Sequence, residues 1–232
     1  MTEPAWAGTP DEAAARRVER WALAAGVTGC TANGLLLALY TVGLPGDASY
    51  EWTGPANDVV GAIAALSLIP MTAGVRDLLG SPGRLPGLTR VVAVGGTASA
   101  ASSALLVTGR LSFQVQSVIG TGFGAVLLLW TAAAGRSAVG NDLLPRRLAR
   151  SARIIASAGL SGMGLAAAGA LLPKGSVAQY AVAGPGVALT VAGFLGLPVW
   201  ALALSRAMSR RPLPGYHVRG LVPAPADQRD SP

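Results

Sequence analysis

The sequence predicts an all-α protein, a polytopic six-helix transmembrane bundle with both termini on the cytoplasmic side. Composition is the first reason: 51% of the 232 residues are hydrophobic and only 12% are charged, with a mean hydropathy of +0.49, whereas soluble domains carry about 25% charge. The second is that apolar residues fall into six runs long enough to cross a bilayer. The third is the placement of positive charge. All 18 Lys and Arg except Arg110 and Lys174 lie in alternate connectors or at the ends, as expected if those segments stay cytoplasmic during insertion.

The chain divides into a cytoplasmic N-terminal segment, 1–20, a transmembrane domain, 21–205, and a disordered cytoplasmic tail, 206–232. In "MTEPAWAGTPDEAAARRVER" a helix is expected after Thr9, with Asp11 and Glu12 at its favourable N-terminal end. Arg16, Arg17 and Arg20 then anchor the first span, Trp21 to Leu44. Two other readings of this stretch fail. Val27-Thr28-Gly29-Cys30 resembles a lipobox, but apolar residues resume at Leu35 and run to Leu44, leaving a remnant too short to span. The Arg16-Arg17 pair resembles a twin-arginine signal, but Glu19 stands where such signals take an apolar or basic residue.

The remaining spans are Val59 to Val75, Val91 to Gly109, Val118 to Ala134, Ile154 to Leu172 and Ala178 to Leu204. The first four of these fit the roughly 17 to 25 residues that a 30 Å hydrocarbon core demands, and the last is slightly longer. Connectors such as "RDLLGSPGRLPGLTR" and "PKGSVAQ" are too short for a further domain. The inner segments collect Arg76, Arg84 and Arg90, then Arg136, Arg146, Arg147, Arg150 and Arg153, then Arg206, Arg210, Arg211, Arg219 and Arg229. Trp21, Trp130 and Trp200 fall near inner ends, and Tyr50, Trp52 and Tyr180 near outer ends, as residues that favour the headgroup level should. The tail "RRPLPGYHVRGLVPAPADQRDSP" has too little apolar surface to order itself.

Small residues recur at helical spacing. Gly96, Ala100 and Ala104, Ser99 and Ser103, and Gly120 and Gly124 repeat at i+4, and Gly159, Gly162 and Gly164 continue the theme in the fifth span. This pattern allows close backbone approach, here expected within the bundle itself.

Several chemistries are excluded. Although the net charge is +7, the basic residues sit between apolar runs, which fits a membrane surface and not nucleic acid. Cys30 is alone and the one histidine, His217, lies in the tail, so no disulfide, metal site or cofactor is expected. No ionisable residue stands near a predicted midplane, which argues against a carboxylate proton relay, an intramembrane metalloprotease and a bis-His haem protein. The charges at span ends read as caps and anchors: Asp58 with Asn57 at an outer helix N-terminus, Asp77 beside Arg76, and Asn141 with Asp142 in an inner loop.

Polar and helix-breaking positions within the spans mark where a cavity would form. Asn33 is the only strongly polar amide of the first span, Pro70 interrupts the second, and Gly184-Pro185-Gly186 and Pro198 interrupt the sixth. Proline removes a backbone hydrogen bond, and broken helices of transporters offer the freed groups to substrate. Asn33, Pro70, Pro185 and Pro198 are therefore the candidate cavity-lining residues.

"LLPRRLARSARIIASAGLSG", Leu143 to Gly162, leads from a loop into a Gly-rich span, and "GLPVWALALSRAM", Gly196 to Met208, closes the last span with Pro, Trp and a basic exit. In these segments the chain resembles a loose group of six-span bacterial integral membrane proteins of unknown function. That resemblance implies a six-helix integral membrane domain of unknown function and brings no catalytic residues to carry over; the expected location is the plasma membrane.

Three functional readings follow. The first is a non-enzymatic structural, accessory or regulatory component whose basic inner face meets anionic lipid or a membrane or cytoplasmic protein partner. The second is a small-solute transporter or channel. The third is a surface enzyme, which requires convergence of at least two of Asp47, Glu51 and Asp58, or of Asp77 and Asp142.

Overall fold

In hydrocarbon each backbone N–H and C=O has to be bonded within its own segment, so apolar runs of this length are helical throughout. The computed structural model describes residues 10–43, 52–80, 83–139 and 144–210. Among them are six α-helices: α1 Pro10–Ala38, α2 Thr53–Leu79, α3 Leu85–Val107, α4 Phe113–Ser137, α5 Arg146–Ala170 and α6 Val177–Ser209. A π-helical turn, Leu39–Gly43, continues α1, and no strand occurs among the described residues. All six helices are long and apolar enough to cross a membrane, which makes the protein an all-α, multi-pass membrane protein.

Helices outrun the apolar runs, most of all where arginines follow. α1 begins at Pro10, well before Trp21, and α5 begins at Arg146, before Ile154. α6 continues to Ser209, so the expected start of the tail at Arg206 falls inside a helix. With 33 residues, α6 is about 50 Å long, more than the roughly 30 Å core requires. Its start is capped from both sides: the Gln179 N–H donates to Ser176 Oγ at 3.1 Å, and the Gly175 N–H donates to Gln179 Oε1 at 2.7 Å. Neither α2 at Pro70 nor α6 at Pro185 and Pro198 is interrupted.

Each helix packs against its neighbours in sequence, and α1 packs against α6, so the six close into a ring. Neighbours run antiparallel, which brings the N-terminal ends of α1, α3 and α5 together with the C-terminal ends of α2, α4 and α6. Contacts establish this pairing one by one. Arg17 of α1 donates to Asp77 of α2 at 3.3 Å, Thr89 of α3 meets Trp130 of α4, and Leu148 of α5 meets Trp200 of α6. The described arginines other than Arg110 therefore share one end of the ring.

Close approach between α5 and α6 rests on missing side chains. A Cβ on Gly162 would lie 2.7 Å from both the Gly186 carbonyl oxygen and Thr190 Oγ1, and one on Gly193 would lie 2.5 Å from the Gly159 Cα. Without a hydrophobic effect between helices in lipid, such backbone contact is the main source of attraction. Gly164, in contrast, faces open space. α1 uses the same device against α6, where Gly29 lies against the Pro198 ring.

Bulky packing is concentrated at the arginine-rich end. Val18, Met71, Val75, Leu85, Trp130, Leu148, Trp200 and Leu204 belong to one buried cluster drawn from all six helices. The outward faces carry apolar side chains such as Val94, Val118 and Ile154, exposed to the surroundings as a lipid-facing surface should be.

A Gly162→Val substitution is expected to overpack the α5–α6 contact by about 1–3 kcal/mol or more, lowering the thermal midpoint by several degrees. Gly164→Val is expected to leave the midpoint within about 1 °C of the parent, since the side chain meets no neighbour. Thermal unfolding of the detergent-solubilised variants checks both.

Candidate functional site: a polar vestibule above a tryptophan floor

A buried indole carries one N–H that water cannot reach, so it has to find an acceptor. Trp130 Nε1 donates to Thr89 Oγ1 at 3.0 Å, and Trp200 Nε1 donates to the Leu148 carbonyl at 3.1 Å. Thr89 in turn donates to the Leu85 carbonyl at 2.9 Å, so its hydroxyl is used on both sides. The two rings meet edge-on with centroids 6.5 Å apart, a favourable aromatic geometry. Trp130 and Trp200 are 0% and 3% exposed, so neither is the headgroup anchor expected from its place near a span end. Both rings point into the ring of helices, and span position alone does not reveal facing. Trp21, Trp52 and Tyr180 are exposed, as belt residues would be.

Above this floor the interior is not filled. A cavity of about 370 Å³ lies between α1, α2, α3, α4 and α6, within the roughly 300–1,000 Å³ typical of small-molecule sites. Ala25, Leu127 and Ala201 form its base and also belong to the buried cluster. From there it extends away from the arginine-rich end to Asn57 and Asp58 on α2 and Gln116 on α4, about one turn inside those helix starts. Leu36, Leu68, Phe123 and Phe194 supply apolar wall, and α5 contributes nothing.

The polar residues of the wall are distinguished by what they lack. Elsewhere, span hydroxyls bond a carbonyl of the preceding turn: Ser67 to Ile63, Thr72 to Ile69, Thr131 to Leu127 and Thr190 to Gly186. Around the cavity, the side chains of Asn33, Asn57, Asp58, Ser99 and Thr121 have no hydrogen-bond or ion-pair partner among the described residues. Gln116 makes one long contact, donating to Ser103 Oγ at 3.5 Å. Unpartnered polar groups inside a membrane protein are costly unless water or a ligand reaches them.

Of the four candidate positions, Asn33 and Pro198 line this cavity, while Pro70 and Pro185 do not. Pro185 is exposed on the outer surface of α6, and neither of these prolines opens its helix to the interior. Asp58 lies inside α2, which begins at Thr53, so it faces the cavity and does not cap a helix start. Ser99 and Ser103 on α3 and Gln116 and Thr121 on α4 are not singled out as site residues by the sequence, and Asp58 is named there only as a helix cap and as a member of a surface carboxylate group. The available signal was the recurrence of polar side chains in the halves of four spans away from the arginines.

Asp77 accepts from Arg76 Nε at 2.9 Å and from Arg17 Nη1 at 3.3 Å. These exposed pairs are worth about 0.2–1 kcal/mol each. Asp58 and Asp77 stand at opposite ends of α2, about 28 Å apart along its axis. Asp47, Glu51, Tyr50, Asn141, Asp142, His217 and the arginines beyond Arg210 lie outside the described residues. Among the described residues no three His, Cys, Asp or Glu side chains cluster as a metal site would require.

Set against known protein families, curated proteins and solved structures, the chain matches none. Fold and cavity together define a class: a multi-pass membrane protein whose six-helix ring is closed at one end and hollow at the other.

Replacing Thr89 by Val strands the Trp130 N–H in the floor and is expected to cost about 1–3 kcal/mol. Thr89→Ser keeps the acceptor and is expected to retain most of the stability. Chemical or thermal unfolding followed by near-UV dichroism reports both variants.

Proposed function

We propose that this chain sits in the bacterial plasma membrane with both termini cytoplasmic, and that its cavity is an outward-facing vestibule binding a small polar solute for a carrier or channel. One observation carries the reading: five polar side chains without partners line a single cavity. Polar groups that served only as packing glue would be bonded across helices. The orientation rests on the arginines gathered at the opposite, closed end, which the positive-inside tendency assigns to the cytoplasm. The bacterial membrane rests on the resemblance of the Leu143 to Gly162 and Gly196 to Met208 segments.

A structural or accessory role is the second reading, favoured by a separate observation. Arg84, Arg90, Arg146, Arg147 and Arg150 are exposed and make no ion pair among the described residues. Such a face attracts anionic lipid headgroups by about 1 kcal/mol per residue and is available to an acidic cytoplasmic partner. Surface catalysis has no supporting observation among the described residues, since Asp47, Glu51 and Asp142, the partners that Asp58 and Asp77 would need, lie outside them.

The vestibule and its orientation are tested together by thiol labelling. With Cys30 replaced by Ala, a Ser99→Cys protein in right-side-out vesicles is expected to react with a membrane-impermeant methanethiosulfonate added outside, because Ser99 lines the cavity and is partly exposed. Ala101→Cys, two residues away on the outer surface of α3, is expected to stay unreactive in lipid. Absence of labelling at position 99 from either side would overturn the vestibule. Labelling only in inverted vesicles would overturn the orientation.

A further inference from the structure

We propose that the vestibule is selective for small organic ammonium ions, held with the positive charge against Asp58. The inference rests on the vestibule reading and adds the class of ligand. Among the described residues Asp58 is the only charged side chain lining the cavity, and no described Arg, Lys or His reaches it. It also has no ion-pair or hydrogen-bond partner among the described residues, whereas Asp77 at the far end of the same helix has two arginines. An ionised carboxylate facing a largely apolar cavity in a membrane protein is expensive unless it takes up a proton or a cation joins it.

The rest of the wall fits an ammonium better than the alternatives. Asn33, Asn57 and Gln116 offer amide oxygens, and Ser99 and Thr121 offer hydroxyls, as acceptors for ammonium N–H groups. Leu36, Leu68, Phe123 and Phe194 give an alkyl portion apolar surface to bury. A bare inorganic cation would need more oxygen ligands than the single carboxylate and scattered amides supply. Anions meet the Asp58 charge with nothing to offset it. A zwitterionic amino acid is disfavoured for the same reason, because its carboxylate finds no basic partner in the cavity. The selectivity is thus for amines over both carboxylates and amino acids, and it comes as much from the missing arginine as from the aspartate.

The test uses the full chain in nanodiscs with Cys30→Ala and Ser99→Cys, labelled with a cationic and an anionic methanethiosulfonate. Relative to a small free thiol, the cationic reagent is expected to be favoured at least tenfold, and Asp58→Asn to reduce that preference to within about twofold. n-Butylammonium is expected to protect the thiol, with butyrate and glycine failing to do so. Asp58→Glu is expected to keep both effects, and Asn33→Ala to weaken protection without changing the charge preference. An unchanged preference in Asp58→Asn, or equal protection by butyrate and butylammonium, overturns the proposal. If Asp58→Asn does not fold, the comparison of butylammonium with butyrate in the parent protein still decides. Failure of the vestibule itself looks different, because then neither reagent reacts.

Discussion

Two indole N–H groups, enclosed where no water reaches, determine how this ring of helices is held. Trp130 satisfies its donor on Thr89 and so ties α4 to α3; Trp200 satisfies its donor on Leu148 and so ties α6 to α5. The edge-on contact between the two rings then joins α4 to α6 across the interior. Each bond is worth only about 1 kcal/mol net, but leaving either donor unpaired would cost more than forming the bond yields. Side chains from α1 and α2, among them Val18, Met71 and Val75, fill the remaining space in the same cluster. The arginine-rich end is therefore both packed and polar-satisfied.

That concentration of bulk at one end leaves the other end to small residues and polar groups. α5 and α6 approach closely through Gly159, Gly162, Gly186 and Gly193, which makes them a firm pair along their length. The helices around the cavity meet less completely, and Gly120 and Gly61, which line it, have room for a side chain that they do not carry. A rigid floor below an incompletely filled vestibule is an arrangement in which a ligand can add the missing contacts. Any passage of a solute beyond the floor requires the Trp130 and Trp200 contacts to rearrange, so this state is closed at the arginine-rich end.

Much of the fold was legible in the sequence because the bilayer imposes it. Apolar length gave the six spans, and i+4 glycines such as Gly159 foreshadowed close packing. Facing was the harder matter. In a soluble helix an apolar stripe marks the buried side, but here lipid accepts apolar side chains all round, and Val94 outward is as comfortable as Val92 inward. Trp130 and Trp200 illustrate this: a tryptophan near a span end suits the headgroup region and the interior equally well. Asp58 was read as a cap because the apolar run starts at Val59, yet helical structure starts at Thr53. Prolines drew attention as breakers, but only Pro198 reaches the cavity, where its ring packs on Gly29. Asn33 was conspicuous in an apolar run, while Gln116 and Thr121 were obscured by their nearness to a connector.

The central claim is an asymmetry of packing along the ring: a sealed tryptophan floor and an incompletely filled, polar-lined vestibule above it. Hydroxyl-radical footprinting of the protein in nanodiscs tests it most directly. The account predicts oxidation at Phe123 and Phe194 on the vestibule wall, with Met71, Trp130 and Trp200 protected despite their far greater intrinsic reactivity. Oxidation of Trp130, Trp200 and Met71 with protection of the two phenylalanines would contradict it.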